Sequence, residues 1–339
     1  MNAQALRVFS TCPPSSNVPA SGAYLERVIE VAGWSDVCGY EGILVYTDNG
    51  LVDPWLVAHA ILQHTSRLCP LVAVQPIYMH PYTVAKLVSS LAALYGRRVY
   101  LNMVAGGFAN DLMSLDDGTP HDQRYARLIE YTRIVQGLLE PNAVVTLEGS
   151  FYRLKNVRMT PAMPPELRPG VLLSGSSEAG LAAARALGAT AVQYPKPAEA
   201  FAAEPAHHGQ DIGIRVGIIA RPDEAEAWSV ARDRFPEDRK GQLAHQLAMK
   251  VSDSVWHRQL SQTARETGTG GGSPYWLVPF NNYKTFCPYL VGSYDTVGRE
   301  LARYLRIGCR TIITDVPFDE IEMKHTDLAL RRGLALVTA

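Results

Sequence analysis

Much of what the 339-residue chain lacks bears on function. No stretch approaches the roughly eighteen consecutive apolar residues that cross a bilayer, which speaks against a membrane span. The opening MNAQALRVFSTCPPSS has no basic segment leading into an apolar run, so no secretory leader is read and a cytoplasmic protein is expected. A formal net charge of −1 gives no electrostatic reason to expect nucleic acid or an anionic membrane surface as partner. The five cysteines (Cys12, Cys38, Cys69, Cys287, Cys309) are odd in number and form no C-x-x-C pair, which argues against a disulfide framework and a zinc cluster. No H-E-x-x-H or clustered ligand set predicts a metal, and no G-x-G-x-x-G predicts a dinucleotide held by the chain itself.

What is present is a chain with 47% apolar residues and a periodicity that switches repeatedly between short strands and amphipathic helices. Strands are read at 6–11, 42–46, 68–75, 99–105, 170–175, 190–195, 212–220 and 310–316. Helices are read at 23–38, 54–65, 81–95, 121–139, 177–187, 196–204, 223–235 and 294–307. Eight strands alternating with helices predict a (β/α)8 TIM barrel, taken as a single domain over 1–339. Two stretches exceed the repeat. Residues 141–169 read as a short β excursion and a proline-rich connection. Residues 237–292, with the run TGTGGG at 267–272, read as a mobile lid.

In such a barrel the site gathers at the C-terminal ends of the strands, where the sequence places Gln75, Asn102, Ala105, Ser174 to Ser177, Tyr194, Arg215 and Asp315. The stretch VLLSGSSEAGLAAARALGA (171–189) joins a strand to a helix through small hydroxylic residues. A helix start offers unpaired N–H groups to a phosphate. The same segment also lies within one residue of the G-x-S-x-G turn of serine hydrolases, with His245 and His325 as candidate bases. In HDQRYARLIEYTRIVQGLL (121–139), His121 is read as the cap of a helix whose first turn carries Arg124 and Tyr125, both able to donate to phosphate. Arg215, inside the apolar run IGIRVGIIA, needs a partner, either Asp315 or an anionic substrate.

Five collinear segments resemble the bacterial luciferase-like flavin monooxygenases, nearest their FMNH2-dependent alkanesulfonate branch: 39–76, 79–107, HDQRY (121–125), SGSSEAG (174–180) and IRVGIIARPDEAEAW (214–228). The resemblance implies that Ser174, Gly175, Ser176, Ser177 and Tyr125 hold the FMN phosphate, while Asn102, Gln75 and Ala105 lie against the flavin. It points to Arg215, Lys284 and Asn102 as catalytic residues and to a non-prolyl cis peptide between Leu71 and Gln75. Leu51, Gly217 and Val316 stand where the sulfonate enzymes carry a cysteine, a histidine and a tyrosine. The flavin machinery thus looks intact while the substrate chemistry differs.

The function so implied is that of a reduced-FMN-dependent monooxygenase in a two-component system with an NAD(P)H-dependent flavin reductase. It would insert one oxygen atom from O2 into a small organic substrate by way of a C4a-(hydro)peroxyflavin, the protein being a homodimer or homotetramer. An F420- or FMN-dependent hydride-transfer oxidoreductase of the same fold, and a flavin-binding relative without catalysis, are the alternatives.

Overall fold

The computed structural model describes residues 6–17, 22–106, 109–203, 209–251, 255–267 and 273–338. Its chain forms two compact units, Cys12–Ala191 and Met1–Thr11 with Val192–Ala339.

In the first unit, strands β2 (Gly42–Val45), β3 (Cys69–Val74), β4 (Tyr100–Met103) and β7 (Val171–Ser174) lie side by side and parallel, with Val45 opposite Val72, Val72 opposite Leu101 and Asn102 opposite Leu172. Each is a short, largely buried apolar run, the pattern of a parallel strand covered on both faces. The helices between them begin where the sequence supplies caps. Asp53 accepts from the Trp55 and Leu56 amides ahead of Pro54, and His80 accepts from the Tyr82 amide ahead of Pro81. The predicted β excursion is a hairpin, β5 (Val145–Glu148) against β6 (Arg153–Val157), fastened by Glu130, which accepts from the Ser150, Phe151 and Tyr152 amides.

In the second unit, β9 (Ile212–Arg221) is buried along its whole length and pairs in parallel with β12 (Cys309–Thr314) through its first half and with β11 (Tyr289–Ser293) through its second. β1 (Arg7–Thr11) follows β12 in parallel, and β10 (Tyr275–Trp276) runs antiparallel to β11. β8 (Thr190–Gln193) spans the boundary between the units. In chain order, helices alternate with β1, β2, β3, β4, β7, β8, β9 and β12, as the eightfold reading requires.

The 237–292 stretch holds more regular structure than a lid needs. It contains helices Arg239–Val251 and Val255–Thr267, the strand β10 and most of β11. The glycines 270–272, with His207 and His208, lie outside the described residues. The bonds from Leu71 to Gln75 are trans, contrary to the expectation from the family, and the cis bond among the described residues is Thr160–Pro161.

Candidate active site

The strand-to-helix turn after β7 is built around glycine. Ser177, in extended backbone at φ −75° and ψ 157°, caps the helix Glu178–Leu187 by accepting from the Gly180 amide at 3.1 Å. Tyr125 crosses to the same place from its own helix, His121–Leu138. A Cβ on Gly175 would stand 2.7 Å from the Tyr125 hydroxyl oxygen, and one on Gly180 would stand 3.1 Å from it. Both glycines therefore admit a phenol to a helix start, where unpaired amides and the positive end of the helix dipole favour an anion. Ser176, half-buried, has a hydroxyl with no hydrogen bond to another described residue. Of the predicted helix start, Tyr125 reaches this turn. Pro120 rather than His121 occupies the cap position, and Arg124 turns back to donate to the Thr119 carbonyl at 3.2 Å.

Beside the turn, the Ser174 hydroxyl donates to Oδ1 of the buried Asn102 at 2.9 Å, which leaves the asparagine N–H2 as the group open to a ligand. Gln75, just past β3, is 7% exposed and forms no side-chain hydrogen bond to another described residue. Ala105 is buried. Gln75 lines a cavity of about 380 Å³ whose walls include Leu51, Trp55, Ala73, Val74, Tyr78 and Met79. Leu51, noted above as replacing a cysteine, thus presents an apolar side chain to that space.

The second unit carries a separate buried polar cluster. Arg215, 5% exposed, has Nη2 3.8 Å from Oδ1 of Asp315 and donates from Nη1 to the Tyr194 hydroxyl at 3.4 Å, with its guanidinium 5.8 Å from the Tyr194 ring centre. Oδ2 of Asp315 accepts from Thr285 at 2.5 Å and from the Tyr289 hydroxyl at 2.9 Å. Burial, and then the Asp315 charge, hold the Tyr289 phenol well above the usual tyrosine range, so it stays a donor. Tyr289 lies opposite Gly217 in the register of β11 and β9, and a Cβ on Gly217 would meet its ring at 2.4 Å. The empty position at 217 is thus the footprint of Tyr289, a residue that sequence reading missed because the pair exists only across two strands. Lys284 is half exposed and pairs with Asp238 at 2.7 Å, and Val316 is half-buried.

The hydrolase reading finds no base in the histidines named for it. His245 meets His257 at 3.1 Å between ring nitrogens, and Nδ1 of His325 meets the Tyr294 hydroxyl at 2.6 Å. Among the described residues no group of three or more His, Cys, Asp or Glu could hold a metal, and no helix is long and apolar enough to cross a membrane.

The glycine-lined strand-to-helix turn and the buried Asn102 amide lie at the C-terminal ends of β7 and β4. The sequence pattern of the luciferase-like monooxygenases matches residues 6–311, and the chain belongs to that family and so to the flavin-dependent monooxygenases. It is 32% identical over 329 residues to the 4-(gamma-L-glutamylamino)butanoyl-[BtrI acyl-carrier protein] monooxygenase BtrO of Niallia circulans, an alignment covering 94% of this chain and 95% of that one. Its structure resembles EDTA monooxygenase EmoA from Chelativorans sp. BNC1, at a TM-score of 0.73 and 17% identity over 98% of this chain and 95% of the other, which shows the (β/α)8 fold. An F420-dependent secondary alcohol dehydrogenase shares that fold at a TM-score of 0.64 and 14% identity, over 97% and 99% of the two chains. These likenesses do not single out the alkanesulfonate branch.

Proposed function

We propose that the protein is the oxygenase of a two-component system. It takes reduced FMN from a separate NAD(P)H-dependent flavin reductase and places one oxygen atom of O2 into a small organic substrate. The observation that carries this reading is the Tyr125 hydroxyl lodged against Gly175 and Gly180 at the start of Glu178–Leu187, a cradle that a Cβ at either glycine would crowd. A phosphate monoester suits it. The helix amides, the Ser176 hydroxyl and the Tyr125 phenol are all donors, and charge-assisted hydrogen bonds of this kind contribute about 1.5–3 kcal/mol each.

Reduced flavin supplies two electrons and the activation of O2; the chain's own residues bind it, orient it and keep water away. Ser174 fixes the Asn102 amide with its N–H2 available to a ring carbonyl or nitrogen, while Gln75 and Ala105 are the other candidates for contact with the flavin. Leu51, Trp55, Val74 and Met79 give the adjoining cavity apolar walls, which disfavour water at the reacting centre. In the second unit, Arg215 and Lys284 already face the carboxylates of Asp315 and Asp238. Each must therefore weaken that pairing before it can hold a substrate anion. BtrO is named for an acyl group borne on a carrier protein, and an acyl substrate of that kind is the finer reading for this chain.

The test is anaerobic titration with FMNH2, FMN and F420, followed by rapid mixing with O2. Tightest binding of FMNH2 and an absorbance transient distinct from that of free FMNH2 are expected. Selective binding of F420, or no binding of FMNH2, refutes the oxygenase reading.

A further inference from the structure

The helix Arg239–Val251 inverts the pattern of a surface helix. Arg239, Leu243 and Leu247 stand in one row at a spacing of four, with Lys240 and Ala244 beside them on the same face. All five are exposed, Leu243 by 59% and Leu247 by 55%. A surface helix ordinarily turns its leucines to the core and its polar residues to water. Here the inward positions are Gly241, Gln242 and the buried His245.

The contacts of that inner face fix the orientation. The Gly241 amide donates to Oδ1 of Asp238 at 2.9 Å, and a Cβ at 241 would fall 2.1 Å from the Asn282 carbonyl oxygen, so the backbone is pressed against that turn. Gln242 donates to Oδ1 of Asn282 at 3.1 Å. Nε2 of His245 lies 3.1 Å from Nε2 of His257, and its ring meets Phe280 edge-on at 4.7 Å. Rolling the helix to bury Leu243 and Leu247 would break all of these together. One exposed leucine is ordinary; two a turn apart on a helix that cannot roll make a stripe that gains by being covered.

The charge beside the stripe is of one sign. The 13 residues of the helix include no Asp or Glu. Neither Arg239 nor Lys240 forms an ion pair among the described residues, and of the two acids that precede them Asp238 is taken by Lys284 at 2.7 Å while Glu237 is exposed and unpaired. Other cations of this unit are matched, as Arg332 is to Asp295 at 2.6 Å and Lys324 to Glu320 at 2.7 Å. The positive end of the helix dipole lies at the same corner. An apolar stripe headed by free cations complements a helix whose apolar side is flanked by carboxylates.

We propose that this face docks the carrier protein that brings the acyl substrate. An acidic amphipathic helix of the carrier covers Leu243 and Leu247 and sets its carboxylates against Arg239 and Lys240. The proposal rests on the carrier-borne acyl reading above and adds to it the surface that meets the carrier.

The probes are the BtrI carrier protein bearing the 4-(gamma-L-glutamylamino)butanoyl group and the same acyl group as its N-acetylcysteamine thioester, titrated calorimetrically into the full chain. Leu243→Gln/Leu247→Gln and Arg239→Glu/Lys240→Glu should each weaken binding of the loaded carrier about tenfold, the second also flattening its salt dependence. Both should leave affinity for the small thioester within about twofold of the native value. Binding of the carrier by both variants at native affinity overturns the proposal alone. No binding of the carrier by the native chain overturns the carrier-borne reading and the proposal together. If the leucine variant loses the carrier and also dissociates a native dimer in sedimentation, the face belongs to a second copy of the chain and the proposal is overturned. The oxygenase reading fails on a different measurement, the absence of FMNH2 binding.

Discussion

Adding one methyl group at Gly175 tests the phosphate cradle most directly. In Gly175→Ala the new Cβ falls 2.7 Å from the Tyr125 hydroxyl oxygen, while the next nearest atoms, Leu173 Cδ2 and Tyr125 Cζ, are at 3.6 Å, an ordinary contact. The clash is therefore with one oxygen atom. Overpacking of this kind costs about 1–3 kcal/mol, and Gly175 has no positive φ, so alanine also brings back about 0.4–1 kcal/mol of unfolded-state entropy. The expected net loss is about 1–2 kcal/mol by urea unfolding. Tyr125→Phe removes the obstructing oxygen, so in that background Gly175→Ala should be neutral or slightly stabilising, a coupling of about 1–3 kcal/mol in the double-mutant cycle. Flavin affinity follows another pattern. Tyr125→Phe should lower FMN affinity about tenfold, the equivalent of one charge-assisted hydrogen bond, and Gly175→Ala should lower it further. The reasoning is refuted if Gly175→Ala costs the same stability in both backgrounds, or if Tyr125→Phe binds FMN as the native chain does.

Three further outcomes are expected. Ser177→Ala should lose about 1 kcal/mol of stability with its cap, whereas Ser176→Ala should keep full stability, and only a fall in FMN affinity for both, read by fluorescence quenching, agrees with phosphate binding. Arg215→Met removes the cation beside the partly buried Asp315 and should cost about 3 kcal/mol, the low end for a broken buried pair because Thr285 and Tyr289 still serve the carboxylate. Restoration of stability in Arg215→Met/Asp315→Asn would assign Arg215 to structure, and collapse of turnover at unchanged stability would assign it to substrate. His257, packed with His245, Ser261, Phe280 and Tyr283, is lowered to about 4 by burial and by His245. Its folded value lies below its unfolded value near 6.5, so stability is complete above that pH. It falls as pH drops from 6.5 toward 4, by at most about 1.4 kcal/mol per pH unit for this group, a dependence that His257→Gln should flatten in unfolding curves taken across that range.

The strands were legible because buried parallel strands are continuous apolar runs, and LVAVQ or IGIRVGIIA can scarcely be anything else. Helix starts were legible where a cap precedes proline, as at Asp53 and His80. The segment YLVGS (289–293) was absorbed into the supposed lid because a short apolar run beside a long polar stretch has no periodicity of its own, and only β9 makes it a strand. Ser177 could be read as a cap from the sequence. The need for glycine at 175 and 180 could not, since it comes from a tyrosine arriving from a different helix.

The ring of Tyr289 over Gly217 constrains the paths by which this protein can change. With that ring in place, any side chain at 217 starts from a contact of 2.4 Å, so a histidine there is inadmissible until 289 has been cut back. Cutting back 289 first takes a donor away from Asp315. Each single step therefore passes through a worse protein, and the two positions can be exchanged only together. A lineage that has made this exchange is held on its side of the divide by sterics, whatever its substrate, and a 217/289 double library should recover activity only along that coupled diagonal.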